Sequence, residues 1–131
     1  MEYIFLELEE VIEIHSRMIE LFGGESGIRD EGLLQSAIAQ PFAGFGDEYF
    51  HKDLYEMAAA YVFHIVKNHP FIDGNKRVGW MAGIMFLEYN GIIVDPDAQV
   101  FHAEIMTLSV AEGKADKQMI AEFFRKYSTT G

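Results

Sequence analysis

The residues best suited to chemistry lie in one short segment, residues 69–77, which reads HPFIDGNKR. The imidazole of His69 can accept a proton from a hydroxyl group. Asp73 offers a hard carboxylate oxygen of the kind that Mg²⁺ prefers. Gly74 lets the backbone approach a phosphate closely, and the two cationic side chains after Asn75 add hydrogen-bond donors. A base, a metal ligand and an anion cradle are what phosphoryl transfer requires, since that reaction depends on positioning and charge stabilisation.

Each part of this segment also has an ordinary structural explanation. A lone histidine is often a packed structural residue, Asp-Gly-Asn is a common turn or helix cap, and Lys-Arg in a first helical turn is usually solvated. From the residue types alone, both a phosphate-handling site and a simple helix cap remain open.

The composition excludes several classes of protein. The chain has 131 residues, with 21 acidic against 10 basic side chains and a formal net charge of −11. This charge argues against a nucleic-acid partner and against binding to an anionic membrane surface. The absence of cysteine excludes disulfides, thiolate metal sites and cysteine nucleophiles. Because there is no basic leader and no apolar run of about 20 residues, we expect a soluble, cytoplasmic protein.

Helical periodicity predicts an all-α bundle that forms a single domain over residues 1–131. The predicted helices span residues 8–22, 30–40, 53–68 and 75–90, then Pro96 to about 112, and from a cap at Asp116 to about 127. The helix over 75–90 is apolar on most sides and is expected to be central and buried. Ile92–Val94 is a strand candidate too short for a sheet of its own, and residues 128–131 are expected to fray.

Residues 69–77 resemble the signature loop of the Fic/Doc superfamily, His-x-Phe-x-Asp/Glu-Gly-Asn-Gly/Lys-Arg, and every fixed position matches. Residues 27–34 (GIRDEGLL) with Ser36 and Ala37, and residues 86–91 (FLEYNG), resemble the Doc (death-on-curing) branch. The likeness covers roughly residues 3–127. It implies a compact Fic-type bundle of about six helices, in which the central helix follows the signature loop and a small flap hairpin precedes it.

The resemblance also implies a role for each loop residue. His69 is the general base that activates a Ser, Thr or Tyr hydroxyl of a protein substrate, and Asp73 holds Mg²⁺. The phosphates of ATP are bound by Gly74, Asn75, Lys76 and Arg77. Phe71 is an apolar anchor that holds the loop to the core, a role that burial energetics also suggests.

An aromatic and glycine-rich stretch, residues 42–50, reads as a loop or small hairpin. It falls where the family carries its flap, at which an extended target segment pairs with a strand edge. The candidate docking residues are Phe42, Gly44, Phe45 and Gly46. The alternative is that this stretch is only a packed connector.

Two positions differ from the pattern of family members that transfer AMP, and both bear on which reaction is catalysed. Members that transfer AMP usually have glycine where Lys76 stands, and a second arginine where Trp80 stands. Lys76 would crowd a phosphate position, and the missing arginine removes a bidentate clamp. The Doc branch shares both features, which implies a toxin that transfers a phosphoryl group to a cytosolic protein such as a translation elongation factor. The alternatives are a Fic-type adenylyltransferase and a catalytically silent binding module.

The sequence contains no match to the self-inhibitory motif of the family. Self-inhibited members carry Ser/Thr-x-x-x-Glu-Gly/Asn, and residues 26–32 and 107–113 each have one residue too many. This implies inhibition in trans by a separate antitoxin.

Arg29 and Asp30 either form an ion pair with each other or support the site by contacting the residues that form it. The remaining histidines, which have no metal-like spacing, are expected in packing or surface roles: His15, His51, His64 and His102.

Overall fold

The computed structural model describes residues 2–130, and within that range it contains six α-helices. They are α1 (Leu8–Phe22), α2 (Glu31–Ala39), α3 (Leu54–Asn68), α4 (Asn75–Tyr89), α5 (Pro96–Ala111) and α6 (Lys117–Lys126). A short 3₁₀ turn, Gln40–Phe42, follows α2 and contains Pro41. The predicted mostly helical bundle is therefore confirmed. None of the described helices combines the length and the apolar character needed to cross a membrane.

Aspartate caps fix where four of the helices begin. The carboxylates of Asp30, Asp53 and Asp116 accept hydrogen bonds from backbone N–H groups in the first turns of α2, α3 and α6. Asp95 caps α5 in the same way, and Pro96 follows it at the first helical position. These caps satisfy donors that a helix leaves unpaired at its start.

The core is built around the packing of α3 against α4. Most of α4 is buried, as its apolar sequence predicts. Gly83 allows the two helices to approach closely, because a Cβ there would lie 2.7 Å from Cγ2 of Val62 and 3.1 Å from the carbonyl oxygen of Ala58. The N-terminus of this central helix is where the signature loop ends.

Two antiparallel strand pairs complete the fold. In the hairpin, β1 (Gly44–Phe45) pairs with β2 (Glu48–Tyr49). Elsewhere, β3 (Ile92–Val94) pairs with β4 (Ser128–Thr130). The expectation that the C-terminus frays is therefore wrong for residues 128–130, because their backbone groups find partners on β3 and because the Asp95 N–H donates to the Tyr127 carbonyl at 2.7 Å. Gly131 lies outside the described residues.

Candidate active site

The signature loop begins where α3 ends, at a histidine with unusual backbone geometry. His69 has φ 51° and ψ 52°, and it is the only non-glycine residue with positive φ among the described residues. Residues other than glycine rarely adopt this left-handed backbone conformation, so contacts with neighbouring residues must hold His69 in it. The side chain of His69 is exposed, and it is therefore accessible to a substrate.

An arginine from the α1–α2 linker supplies such contacts. Nε of Arg29 donates to the His69 carbonyl at 2.7 Å, and Nη2 donates to the Asn68 carbonyl at 2.9 Å. The backbone N–H groups of Arg29 and Asp30 both donate to the Pro70 carbonyl, at 2.7 and 3.0 Å. Of the two roles that the sequence left open for Arg29, the structure therefore shows support of the loop from behind, while the Asp30 carboxylate caps α2.

The middle of the loop is anchored in the core by Phe71, whose side chain is fully buried. Asn75 closes the turn, since its Oδ1 accepts from the Phe71 N–H at 2.9 Å and its Nδ2 donates to the Phe71 carbonyl at 3.0 Å. Asn75 is buried. Its side-chain amide thus shapes the loop, and what Asn75 can offer a phosphate is its backbone N–H in the first turn of α4. The sequence pattern did not reveal this division.

Asp73 is an exposed, charged group at the turn into α4. Its Oδ2 accepts from the Glu25 N–H at 3.1 Å, and its Oδ1 accepts from the Gly74 N–H at 2.8 Å. These two backbone donors, in that order, lower the pKa of the Asp73 carboxyl below its ordinary value. The carboxylate is therefore ionised at neutral pH, and each oxygen retains a lone pair.

His15 of α1 reaches the loop from a distant part of the chain. Its ring stacks on the Phe71 ring with the centroids 4.0 Å apart and the planes 5° apart. Its Nε2 lies 2.9 Å from the carbonyl oxygen of Asp73. The buried packing agrees with the expectation for this residue, but nothing in the sequence pattern indicated the hydrogen bond.

All six residues proposed to act as base, metal ligand or phosphate donors line one cavity of about 530 Å³. A volume of this size is typical of small-molecule sites. The same cavity is lined on its apolar side by residues that sequence reasoning did not assign to the site, among them Met18, Phe22, Met81 and Ala103. Glu104 of α5 also lines it. Helical periodicity gave no means of telling which α1 and α5 side chains would meet there.

The flap residues do not belong to this cavity. None of Phe42, Gly44, Phe45 and Gly46 is among the lining residues that the structure describes. Phe42 packs on Phe5 instead, with ring centroids 5.5 Å apart, while Phe45 is 83% exposed. The predicted hairpin is present, but its docking role stays a prediction.

The start of α4 is suited to an anion. Gly74 caps the helix in the left-handed conformation, with φ 79°, and unlike the aspartate-capped helices α4 has no side chain bonded to its first-turn N–H groups. Such free donors and the helix dipole attract negative charge. Lys76 and Arg77 are exposed, and no ion pair in residues 2–130 involves either of them. The guanidinium of Arg77 lies over the Phe22 ring, 4.6 Å from its centroid.

Comparisons with known proteins agree with this geometry. The family model described as Fic/DOC family matches residues 5–87, a range that includes the whole loop. The chain is 37% identical over 117 residues to Toxin Doc of Mycolicibacterium smegmatis, an alignment that covers 89% of this chain and 88% of that protein. It is 29% identical over 118 residues to Protein kinase doc of Escherichia phage P1, covering 90% of each. On the family match and on this extent of similarity, the chain belongs to the Fic/Doc family.

Proposed function

We propose that this protein is a Doc-like toxin that transfers a phosphoryl group from ATP to a hydroxyl side chain of a cytosolic protein, such as a translation elongation factor. The observation that carries the proposal is the shared cavity, which brings His69, Asp73 and the uncapped start of α4 together. Similarity to Toxin Doc supports the assignment as a toxin, and similarity to Protein kinase doc supports phosphoryl transfer.

In this proposal His69 removes the proton from the attacking Ser, Thr or Tyr hydroxyl. The hydroxyl oxygen then bonds to the γ-phosphorus, the bond from that phosphorus to the bridging oxygen breaks, and ADP leaves with the electron pair. Lys76, Arg77 and the backbone at Gly74 and Asn75 hold the phosphates. The two cationic side chains and the Asn75 N–H match their negative charge, while Gly74, whose N–H is bonded to the Asp73 carboxylate, lets the phosphates approach the helix end closely.

The donor set fits Mg²⁺ bound together with a nucleotide. No group of three or more potential metal-ligating side chains occurs in the described part of the chain, so a metal held by protein alone is not supported. Mg²⁺ in nucleotide sites is commonly held by one or two carboxylates and by phosphate oxygens, and the ionised Asp73 supplies one such carboxylate. When bound, the ion would neutralise charge on the phosphate oxygens.

Two residues favour phosphoryl over adenylyl transfer. Lys76 places a cation at a position where AMP-transferring members usually have glycine. Trp80 is 6% exposed and packs on Phe123 and Phe124, so it cannot provide the bidentate donor that a second arginine would. Adenylyl transfer is the alternative that the experiment below distinguishes.

Target docking is proposed to use the flap. The hairpin of β1 and β2 is exposed along its length, and a hairpin of two strands leaves an outer edge on each strand. An extended target segment could pair with such an edge by β-augmentation. Phe42, Gly44, Phe45 and Gly46 are the proposed contact residues.

Inhibition is proposed to come from an antitoxin acting in trans, the kind of partner that the name Toxin Doc implies for that relative. The surface beside the cavity suits such a partner, because α5 exposes several large apolar side chains. They are Val100, Phe101, Ile105 and Leu108. Exposed apolar groups this close together usually mark an interaction surface.

The decisive experiment is to incubate the purified protein with ATP, Mg²⁺ and a bacterial lysate and to measure intact masses of the lysate proteins. A phosphoryl increment on one protein is expected, and His69→Ala should abolish it. His102→Ala is the matched control, since His102 packs against Phe123 and Tyr127 instead of lining the cavity. An adenylyl increment would support adenylyl transfer instead, and the absence of any increment would refute the proposed enzymatic activity.

A further inference from the structure

The peptide that joins Asp73 to Gly74 is held by groups at both of its ends. Its carbonyl oxygen lies 2.9 Å from Nε2 of His15. Its N–H, which belongs to Gly74, donates to the Asp73 carboxylate at 2.8 Å. Both Asp73 and Gly74 line the cavity, whereas His15 is not among the lining residues. The N–H and C=O of a trans peptide point in opposite directions, so a group that holds the carbonyl also decides where the N–H points.

This peptide needs an external restraint. Gly74 has no Cβ and sits at φ 79°, so rotation of the peptide meets little steric resistance on its glycine side. A flipped peptide would present the negative end of the carbonyl dipole where the N–H now lies. There the carbonyl would face the Asp73 carboxylate, which would lose its hydrogen bond from Gly74 and be repelled from its place on the cavity wall.

His15 is held so that it can act as this restraint. It is 4% exposed, and its ring is stacked in parallel on Phe71, which itself is fully buried. Because a carbonyl oxygen can only accept, Nε2 must carry the proton in this contact. The stack fixes the ring plane, and the ring plane directs the Nε2–H at the Asp73 carbonyl.

We propose that His15 is a positioning residue for nucleotide binding. By donating to the Asp73 carbonyl it holds the Asp73–Gly74 peptide with its N–H, and not its carbonyl, towards the Asp73 carboxylate. This keeps the carboxylate in position for Mg²⁺ bound together with the nucleotide. The inference rests on the proposed function, since it assumes that the cavity binds a nucleotide. The positioning residue is thus a buried side chain of α1, outside the signature loop.

Two substitutions separate the donor from the ring. His15→Phe keeps an aromatic ring to stack on Phe71 but removes the donor, whereas His15→Gln keeps an amide donor and removes the ring. His102→Phe is the control, because it makes the same change at a histidine that packs against the aromatic rings of Phe101, Phe123 and Tyr127, outside the cavity.

The measurement is calorimetric titration of each protein with ATP and Mg²⁺, beside a thermal unfolding curve. We expect His15→Phe to weaken ATP binding about tenfold, the size of one net hydrogen bond, and His15→Gln to restore most of it. His102→Phe should bind as the parent does. In turnover, KM should rise while kcat changes little, because His69 is untouched.

The outcomes distinguish the two proposals. If the parent does not bind ATP, the proposed function fails and this inference fails with it. If the parent binds ATP and a folded His15→Phe binds it equally well, only the role of His15 is overturned. Should His15→Phe not fold, the ¹⁵N shifts of the parent's imidazole decide: a protonated Nε2 supports the proposal, and a bare Nε2 refutes it.

Discussion

Replacing Arg29 with methionine tests how strongly the linker supports the loop. The substitution keeps an unbranched apolar stem but removes the hydrogen bonds to the carbonyls of His69 and Asn68, at 2.7 and 2.9 Å. A hydrogen bond to a charged group contributes about 1.5–3 kcal/mol. Because Arg29 is exposed, water compensates part of this, and we expect a loss of about 2 kcal/mol for both bonds together. For a domain of this size, that lowers Tm by about 6–8 °C.

Arg29→Met should also lose phosphoryl-transfer activity at temperatures where it remains folded. His69 is in a left-handed conformation that its neighbours must maintain, and a base displaced by about 1 Å can lose about 100-fold in rate. We therefore expect at least about a tenfold loss of phosphoryl transfer by Arg29→Met well below its Tm, where the protein is folded. Arg29→Lys keeps the charge but loses the forked arrangement of donors, so its rate of phosphoryl transfer should lie between those of the parent and Arg29→Met.

The control is Arg17→Met on α1. Arg17 forms an exposed pair with Glu13 at 3.5 Å, with the two side chains 72% and 67% exposed. Such pairs contribute at most about 0.5 kcal/mol, so Tm should change by about 2 °C or less. If differential scanning calorimetry gives Arg29→Met the same Tm as Arg17→Met, the hydrogen bonds to the carbonyls of Asn68 and His69 do not support the loop.

Three further predictions concern the core and pH. Gly83→Ala should lower stability by about 1 kcal/mol, because a clash with the stiff Val62 side chain, 2.7 Å from the new Cβ, outweighs the gain in helix propensity; a raised Tm would contradict this. Burial, and then the charge of Lys117, lowers the pKa of His64 to about 4, so the unfolded chain takes up a proton below about pH 6.5 that the folded chain refuses. Stability should therefore fall by about 1–2 kcal/mol, allowing for partial exposure, between pH 6.5 and 4, and urea titrations of His64→Gln should show a shallower decline. Phe71→Ala should cost about 3–5 kcal/mol and abolish ATP binding at temperatures where the parent binds, as unfolding and titration curves would show.

Local sequence signals were sufficient for the helices. The caps at Asp30, Asp95 and Asp116 and the apolar periodicity of the helices depend on residues within a few positions of each other, so they can be recognised without the fold. The pairing of β3 with the chain's C-terminal residues could not, because Ile92 finds Thr130 only after α5 and α6 have brought them together.

The same distinction applies to the site. Residues 69–77 are contiguous, so their types and order alone indicated a base, a carboxylate and an anion cradle, and the structure places those residues around one cavity. His15 and Asp73 are 58 positions apart, and their contact depends on how α1 docks. The amide of Asn75, by contrast, is near in sequence but turns inward to Phe71, a choice that no pattern of residue types distinguishes from a contact with a ligand.

The residues described above that hold the signature loop from outside all precede it in the chain. His15, Arg29 and α3 are each made before residues 69–77, whereas α5, which completes the cavity wall, is made after them. Synthesis proceeds from the N-terminus, and domains generally fold as units. At the ribosome, the residues that hold the loop from outside are therefore all present once α4 has emerged, whereas the wall that α5 adds to the nucleotide pocket is made later.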